Sequence, residues 1–250
     1  MTHVQDGSAR AETRLTVLQS SPDVGLDRFA QWLDVPVRLV RLDEGEPVPS
    51  LAEVGHGLLV LGGQMTAHSD AEAPRLPAVR ALLAETSRTG VPTLGICLGA
   101  QLLAVARGGR VQVAAPPGPE IGVVDLRWRP DAAADALVGP LLAGRITPQV
   151  TWHDDAVVDL PSGAVWLASS AMYPYQAFRI GSAWGVQFHP EVSPATVAAW
   201  AAGRDDVDEL DLVTDLAARE EQVTSLARGL AQRFSELVRT RADEDTCVSA

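Results

Sequence analysis

Residues 57–61, Gly-Leu-Leu-Val-Leu, run apolar without alternation and stop at Gly62-Gly63. A strand with one wet face alternates apolar and polar side chains, so a short unbroken apolar run suits a strand covered on both faces. That requirement shapes the rest of the chain, which must supply layers above and below. Further strands are expected at Leu15-Thr16-Val17-Leu18, Val37-Arg38-Leu39-Val40 and residues 91–96. Helical segments are expected at 27–33, from Leu76 through Val79, Leu82 and Leu83 to Thr89, and at 99–107. Strand and helix in alternation imply βαβ units and a parallel sheet flanked on both faces.

From residue 120 onward the pattern turns strand-rich, at 120–128, 144–152, 164–170, 175–180 and 183–188, with short turns such as Leu160-Pro161-Ser162-Gly163. These strands are expected to complete the sheet in mixed or antiparallel fashion. The fold class is therefore α/β, a single-domain open mixed, mostly parallel sheet flanked by helices. Ser193-Pro194 is a helix-start signal for residues 194–202. Residues 204–221 are strongly acidic, and Val223, Leu226, Ala227, Leu230, Phe234, Leu237 and Val238 then recur at helical spacing. One apolar helix face results, which packs on the same sheet or, as the alternative, on a second copy or partner. The expected organisation is a flexible leader at 1–13, one domain at 14–202, an acidic segment and amphipathic helix at 203–242, and a flexible tail at 243–250.

Composition removes several chemistries. The chain has 20 basic residues and no lysine, so a Schiff-base lysine and a phosphate-binding P-loop lysine are both excluded. A formal net charge of -12 argues against a nucleic-acid backbone as partner, since counterion release needs a basic patch. The two cysteines, Cys97 and Cys247, sit in an apolar stretch and a polar tail and indicate no disulfide framework. The polar leader lacks the apolar stretch of a signal peptide, and no apolar run approaches the ~18 residues of a membrane span. A cytoplasmic protein without membrane contact is expected.

The sharpest local signal is Gly95-Ile96-Cys97-Leu98-Gly99-Ala100-Gln101, directly after a strand and before a helix. A nucleophile at such a corner needs small neighbours because the turn is tight. It also places Cys97 at a helix N-terminus, where dipole and free N–H groups favour thiolate. Near the end of the last strand stands Gly185-Val186-Gln187-Phe188-His189-Pro190-Glu191. His189 can take and return the thiol proton, and Glu191 can fix its tautomer and stabilise the imidazolium. Gly62-Gly63 can turn backbone amides toward a cleft and, with the Leu98 N–H, complete a two-donor oxyanion hole. His68 and Asp70 read as solvated loop residues, and Trp128, Trp152, Trp166 and Trp184 mostly as core.

The glycine loop, the cysteine elbow and the Gln-Phe-His-Pro-Glu string, in that order, resemble the class I (triad-type) glutamine amidotransferases, over about residues 15–200. Within that family the chain is most similar to stand-alone GMP-synthase-like glutaminase proteins, including through Trp152-His153-Asp154-Asp155 and Tyr175-Gln176-Ala177-Phe178. The resemblance implies a flavodoxin-like sheet, Cys97 as nucleophile, His189 as general base and acid, and Glu191 as its orienter. It implies Gly63 and Leu98 as the oxyanion hole, with Gly62, Gln101, His153, Asp154 and Asp155 contributing to the substrate pocket. His153-Asp154-Asp155 lacks a second histidine at ligand spacing, so no metal is expected, and no cofactor. The chain departs from the family in having Gln64 where proline is common and tryptophan before His153.

The implied substrate is glutamine or another γ-glutamyl compound, cleaved through a γ-glutamyl thioester. With no lysine and no residues left for a synthase unit, ammonia-using chemistry is expected on a separate synthase subunit. A γ-glutamyl peptidase is the alternative, and a catalytically idle module is disfavoured because all three triad residues are present.

Overall fold

The apolar runs form the strands they imply. The computed structural model describes residues 13–248. The first half of the chain runs Leu15–Gln19 (β1), Phe29–Trp32 (α1), Val37–Arg41 (β2), Leu51–Val54 (α2), Gly57–Val60 (β3), Leu76–Thr89 (α3), Thr93–Ile96 (β4) and Leu98–Ala106 (α4). Then come Arg110–Gln112 (β5), Glu120–Trp128 (β6), Ile146–His153 (β7), Ala156–Asp159 (β8), Val165–Ser169 (β9), Ala177–Ile180 (β10) and Ala183–Val186 (β11). Pro194–Ala201 (α5) and Glu209–Val248 (α6) end the described chain.

Nine strands form one sheet in the order β2-β1-β3-β4-β11-β10-β9-β6-β7. The first five are parallel, and β11 joins the halves by pairing parallel with β4 and antiparallel with β10. The remaining pairings are antiparallel. β5 and β8 form a separate two-stranded ribbon that the sequence pattern did not reveal. The parallel half is covered on both faces, as the unbroken apolar runs require. Leu59 and Leu61 point into one core with Phe29, Leu230 and Phe234. Leu58 and Val60 point into the other with Val79, Leu83 and Leu102.

Helix α4 lies unusually close to the sheet. A Cβ on Gly99 would stand 2.2 Å from the Val60 carbonyl oxygen, and one on Gly95 2.5 Å from the Gly99 carbonyl. No side chain fits at either place. The two glycines flanking Cys97 therefore set how near the helix start approaches β3 and β4.

The C-terminal segment differs from expectation. From Glu209 onward the acidic stretch and the apolar-faced stretch form one 40-residue helix, about 60 Å long at 1.5 Å per residue. The tail expected from Asp243 is helical to Val248. An Arg241–Asp245 pair at 2.8 Å and a Thr246 hydroxyl donating to the Ala242 carbonyl carry the helix past the last apolar positions. The expected leader lies outside the described residues except for residue 13, as do residues 249 and 250 of the tail.

Leu226, Leu230, Phe234 and Val238 join the main core, and Gln149 Nε2 on β7 donates to the Val223 carbonyl. The apolar face of α6 is thus spent within the chain. Phe234→Ala should lower unfolding free energy by about 3–5 kcal/mol in denaturant titration, the usual cost of emptying a buried aromatic site. A loss below about 1 kcal/mol would mean that the helix is not docked as described. Among the described residues no helix is long and apolar enough to cross a membrane.

Candidate active site

β4 ends at Ile96 and α4 begins at Leu98, leaving Cys97 to make the whole turn at φ 49° and ψ -105°. A non-glycine residue at positive φ is strained and persists only where its surroundings fix it. Here the Cys97 N–H donates to the Val186 carbonyl at 2.8 Å, and Gln101 N–H donates to the Cys97 carbonyl at 3.0 Å. The sulfur faces a cavity of about 870 Å³ and sits at the N-terminal end of a nine-residue helix.

Topology brings the histidine to the cysteine. β11 is parallel to β4 with Val186 opposite Ile96, so the residues following each strand leave at the same sheet edge. His189 N–H donates to the Val150 carbonyl at 2.7 Å, which pins the backbone beyond the strand. Its Nδ1 lies 2.7 Å from Glu191 Oε1, and both residues are buried. The Arg28 N–H donates to the Glu191 backbone carbonyl at 3.0 Å and pins the chain there. Glu191 Oε2 is buried with no hydrogen-bond partner among the described residues. Burial works against a charged His189, but Glu191 and then the Cys97 sulfur outweigh it and push the imidazole up to about 10. The imidazole and the Trp200 ring meet edge to face at a centroid distance of 5.0 Å.

The glycine loop closes the near side. A Cβ on Gly62 would lie 3.1 Å from His189 Cε1 and 3.6 Å from Cys97 Cβ, so its backbone passes directly beside both. A Cβ on Gly63, which lines the cavity, would lie 2.8 Å from Leu98 Cδ2. The two segments whose amides were expected to cooperate are therefore adjacent.

Opposite them, the end of β7 and the turn after it, residues 152–155, are braced from several sides. Gln101 Nε2 donates to the Asp155 carbonyl at 3.0 Å and to Gln187 Oε1 at 3.2 Å. His153 turns its ring inward: Nδ1 faces the Asp155 carbonyl at 3.0 Å and Nε2 faces Glu120 Oε2 at 3.2 Å. Glu120 also accepts from Ser170 Oγ and Gln176 Nε2, which explains structurally why Gln176 stands where it does. Asp155 Oδ1 accepts the Ala114 N–H, and burial raises its carboxyl above the usual range. Asp154 reaches the rim and pairs with Arg204, which also holds Asp206.

Cys97, His189, Glu191, Gly62, Gly63, Leu98, Gln101 and residues 153–155 are thus brought to one place, although the His153 ring is committed to bracing the turn. His68 and Asp70 stay apart, with Asp70 paired to Arg80. Two contributors escaped the sequence reading. Gln187 Nε2 lies 3.5 Å from Cys97 Sγ, a contact hinted at only by its place in the Gln-Phe-His-Pro-Glu string. Trp152, expected in the core, instead lines the cavity, its carbonyl 3.8 Å from the Cys97 sulfur. Trp128 and Trp184 are buried as expected.

Known proteins resemble the chain in sequence and in fold. The family model for glutamine amidotransferase class-I matches residues 26–199. A GMP synthase [glutamine-hydrolyzing] of Nitratiruptor is 32% identical over 190 residues, covering 70% of this chain and 34% of that protein. This chain thus spans about a third of that relative's length. A crystal structure of a glutamine amidotransferase from Thermotoga maritima superposes with a TM-score of 0.79 at 26% identity, covering 90% of this chain and 99% of that one. One from Methylobacillus flagellatus gives 0.79 and 26%, with 91% and 96% covered.

Proposed function

The chain belongs to the class I glutamine amidotransferase family, and from that premise we propose that it hydrolyses the side-chain amide of glutamine through Cys97, His189 and Glu191. The observation that carries the reading is the buried His189–Glu191 couple at 2.7 Å beside a strained cysteine at a helix start. In this reading the Cys97 thiolate attacks the γ-carboxamide carbon, and the N–H groups of Gly63 and Leu98 receive the charge that develops on oxygen. One such donor is typically worth ~3–4 kcal/mol of barrier. His189 gives its proton to the departing nitrogen, and ammonia leaves a γ-glutamyl thioester. Water then adds with His189 as base, and glutamate is released. Glu191 holds the imidazole with Nδ1 bound, so Nε2 does the proton transfer.

The ammonia is passed, in our reading, to a synthase unit. The name of the Nitratiruptor relative supports a synthase of the GMP synthase kind. Both cysteines are free, which fits a reducing cytoplasm.

The raised imidazole gives this reading a pH signature. Ammonia release by the isolated chain should hold through neutral pH and fall as pH passes about 10, where His189 loses the proton it must donate. The same shift affects stability. The folded value lies above the ~6.5 of an unfolded histidine, so its stabilisation is complete below about 6.5 and is lost as pH rises through about 10. A His189→Asn variant should lose that part of the alkaline decline in Tm. An alkaline limb near neutrality, with Tm curves that coincide, would contradict the assignment.

A further inference from the structure

The side chain of Gln187 takes no part in the proton transfers given above, yet it is buried and touches the reacting sulfur. Its backbone N–H donates to the Gln176 carbonyl at 2.9 Å, which fixes the segment between β11 and His189. The side-chain amide is held one way round. The Asp155 backbone carbonyl can only accept, so the atom of Gln101 that meets it at 3.0 Å is the NH2 nitrogen. That NH2 gives its second hydrogen to Gln187 Oε1 at 3.2 Å. Gln187 therefore turns its own NH2 toward Cys97 Sγ, 3.5 Å away. Turned over, it would set NH2 against NH2 on one side and an oxygen against the sulfur on the other.

An N–H aimed at sulfur holds it most strongly when the sulfur is negative. The other polar neighbours act in opposite senses. The His189 imidazole bonds to the sulfur and favours charge on it, with Glu191 behind. The Trp152 carbonyl, 3.8 Å away, can accept a thiol hydrogen but has none to give a thiolate. Gln187 thus joins His189 as a donor to the charged sulfur.

Through the reaction the sulfur begins charged opposite the imidazolium, is neutral in the thioester, and is charged again as it leaves. An interaction speeds a step only if it is stronger in the transition state than in the state before. A donor already engaged with the resting thiolate therefore does little for attack. In thioester hydrolysis the charge grows from nothing, and there the donor acts in full.

We propose that Gln187 is a catalytic residue of thioester hydrolysis, its side-chain N–H holding the Cys97 sulfur as the C–S bond breaks. The inference rests on the triad reading given above. Water adds to the thioester carbon as one of its protons passes to His189. The C–S electron pair then goes to sulfur, which becomes thiolate between the Gln187 amide and the imidazolium. The new γ-carboxyl group of glutamate loses its proton to solvent.

The test is a rapid-quench single turnover, with the purified full chain in excess over glutamine and the two products timed separately. Ammonia reports attack, and glutamate reports hydrolysis. Gln187→Met keeps an unbranched side chain of similar length and removes the donor. Its glutamate release is expected to be about tenfold slower or more, while ammonia release stays within about threefold of wild type. The γ-glutamyl adduct on Cys97, seen by intact mass after acid quench, should outlast the wild type's. A pocket merely deformed by the substitution would slow both products alike. That outcome, or unchanged glutamate release, overturns the inference and leaves the triad reading standing. Gln187→Leu serves should Gln187→Met prove unstable, and reaction of Cys97 with a chloroketone analogue of glutamine reports that each variant keeps its site. A wild-type chain that releases neither product overturns both readings.

Discussion

Replacing Cys97 with alanine is expected to abolish glutamine hydrolysis, with kcat falling by about ten-thousand-fold or more, because the proposed thioester forms on its sulfur. What remains would come from the oxyanion donors and from binding alone. Alanine deletes one sulfur from a residue already 7% exposed and leaves the backbone hydrogen bonds to Val186 and Gln101 in place. Tm should therefore change little, and the lost activity would not reflect lost fold. Cys97→Ser should be nearly as inactive, since the hydroxyl does not ionise as the thiol does. Ammonia release measured on refolded, size-checked protein makes the comparison. Undiminished turnover in Cys97→Ala would remove the cysteine from the chemistry.

Glu191→Gln is expected to have the second-largest effect, a fall in kcat of about a hundred- to ten-thousand-fold with KM little changed. The reasoning is one of counting hydrogen bonds. Glu191 Oε1 takes the His189 Nδ1–H, and Oε2 is buried with no partner among the described residues. If the glutamine oxygen keeps the bond to Nδ1, its NH2 group is buried with nothing to donate to. If the amide flips, NH2 must donate to Nδ1, and the imidazole proton moves to Nε2, where a base is needed. Either way the couple that raises His189 is lost. The kinetic split distinguishes this from damage to substrate binding, which would raise KM.

Much of the sheet could be read directly because the signals are local. The run at 57–61 and the strand before Cys97 are buried on both faces, and continuous apolar character is what such burial requires. The proposed triad stood out for a related reason: its residues follow strand ends, where the break in apolar pattern exposes them to view. Apart from the end of α6, what sequence could not show is held by long-range pairing. Asp243 looked like a tail because the apolar period ends nearby, but ion pairing on the helix surface carries α6 onward. Trp152 read as core because its neighbours are apolar, yet it faces the cavity beside Trp200, which lies 48 positions further along the chain (152 to 200). The bracing of residues 152–155 by Glu120, Gln101 and Arg204 depends on three separate elements and leaves no local trace.

Intact-mass and peptide mapping after exposure to a chloroketone analogue of glutamine test the thiol's role most directly, and the chain supplies its own control. Cys247 is exposed and Cys97 is buried, so simple accessibility favours the wrong residue. A single adduct on Cys97, slowed by added glutamine and absent from Cys97→Ala, is the expected result. Modification confined to Cys247, or an adduct on Cys97 that glutamine does not protect, would contradict the assignment of this cavity as a glutamine-cleaving site.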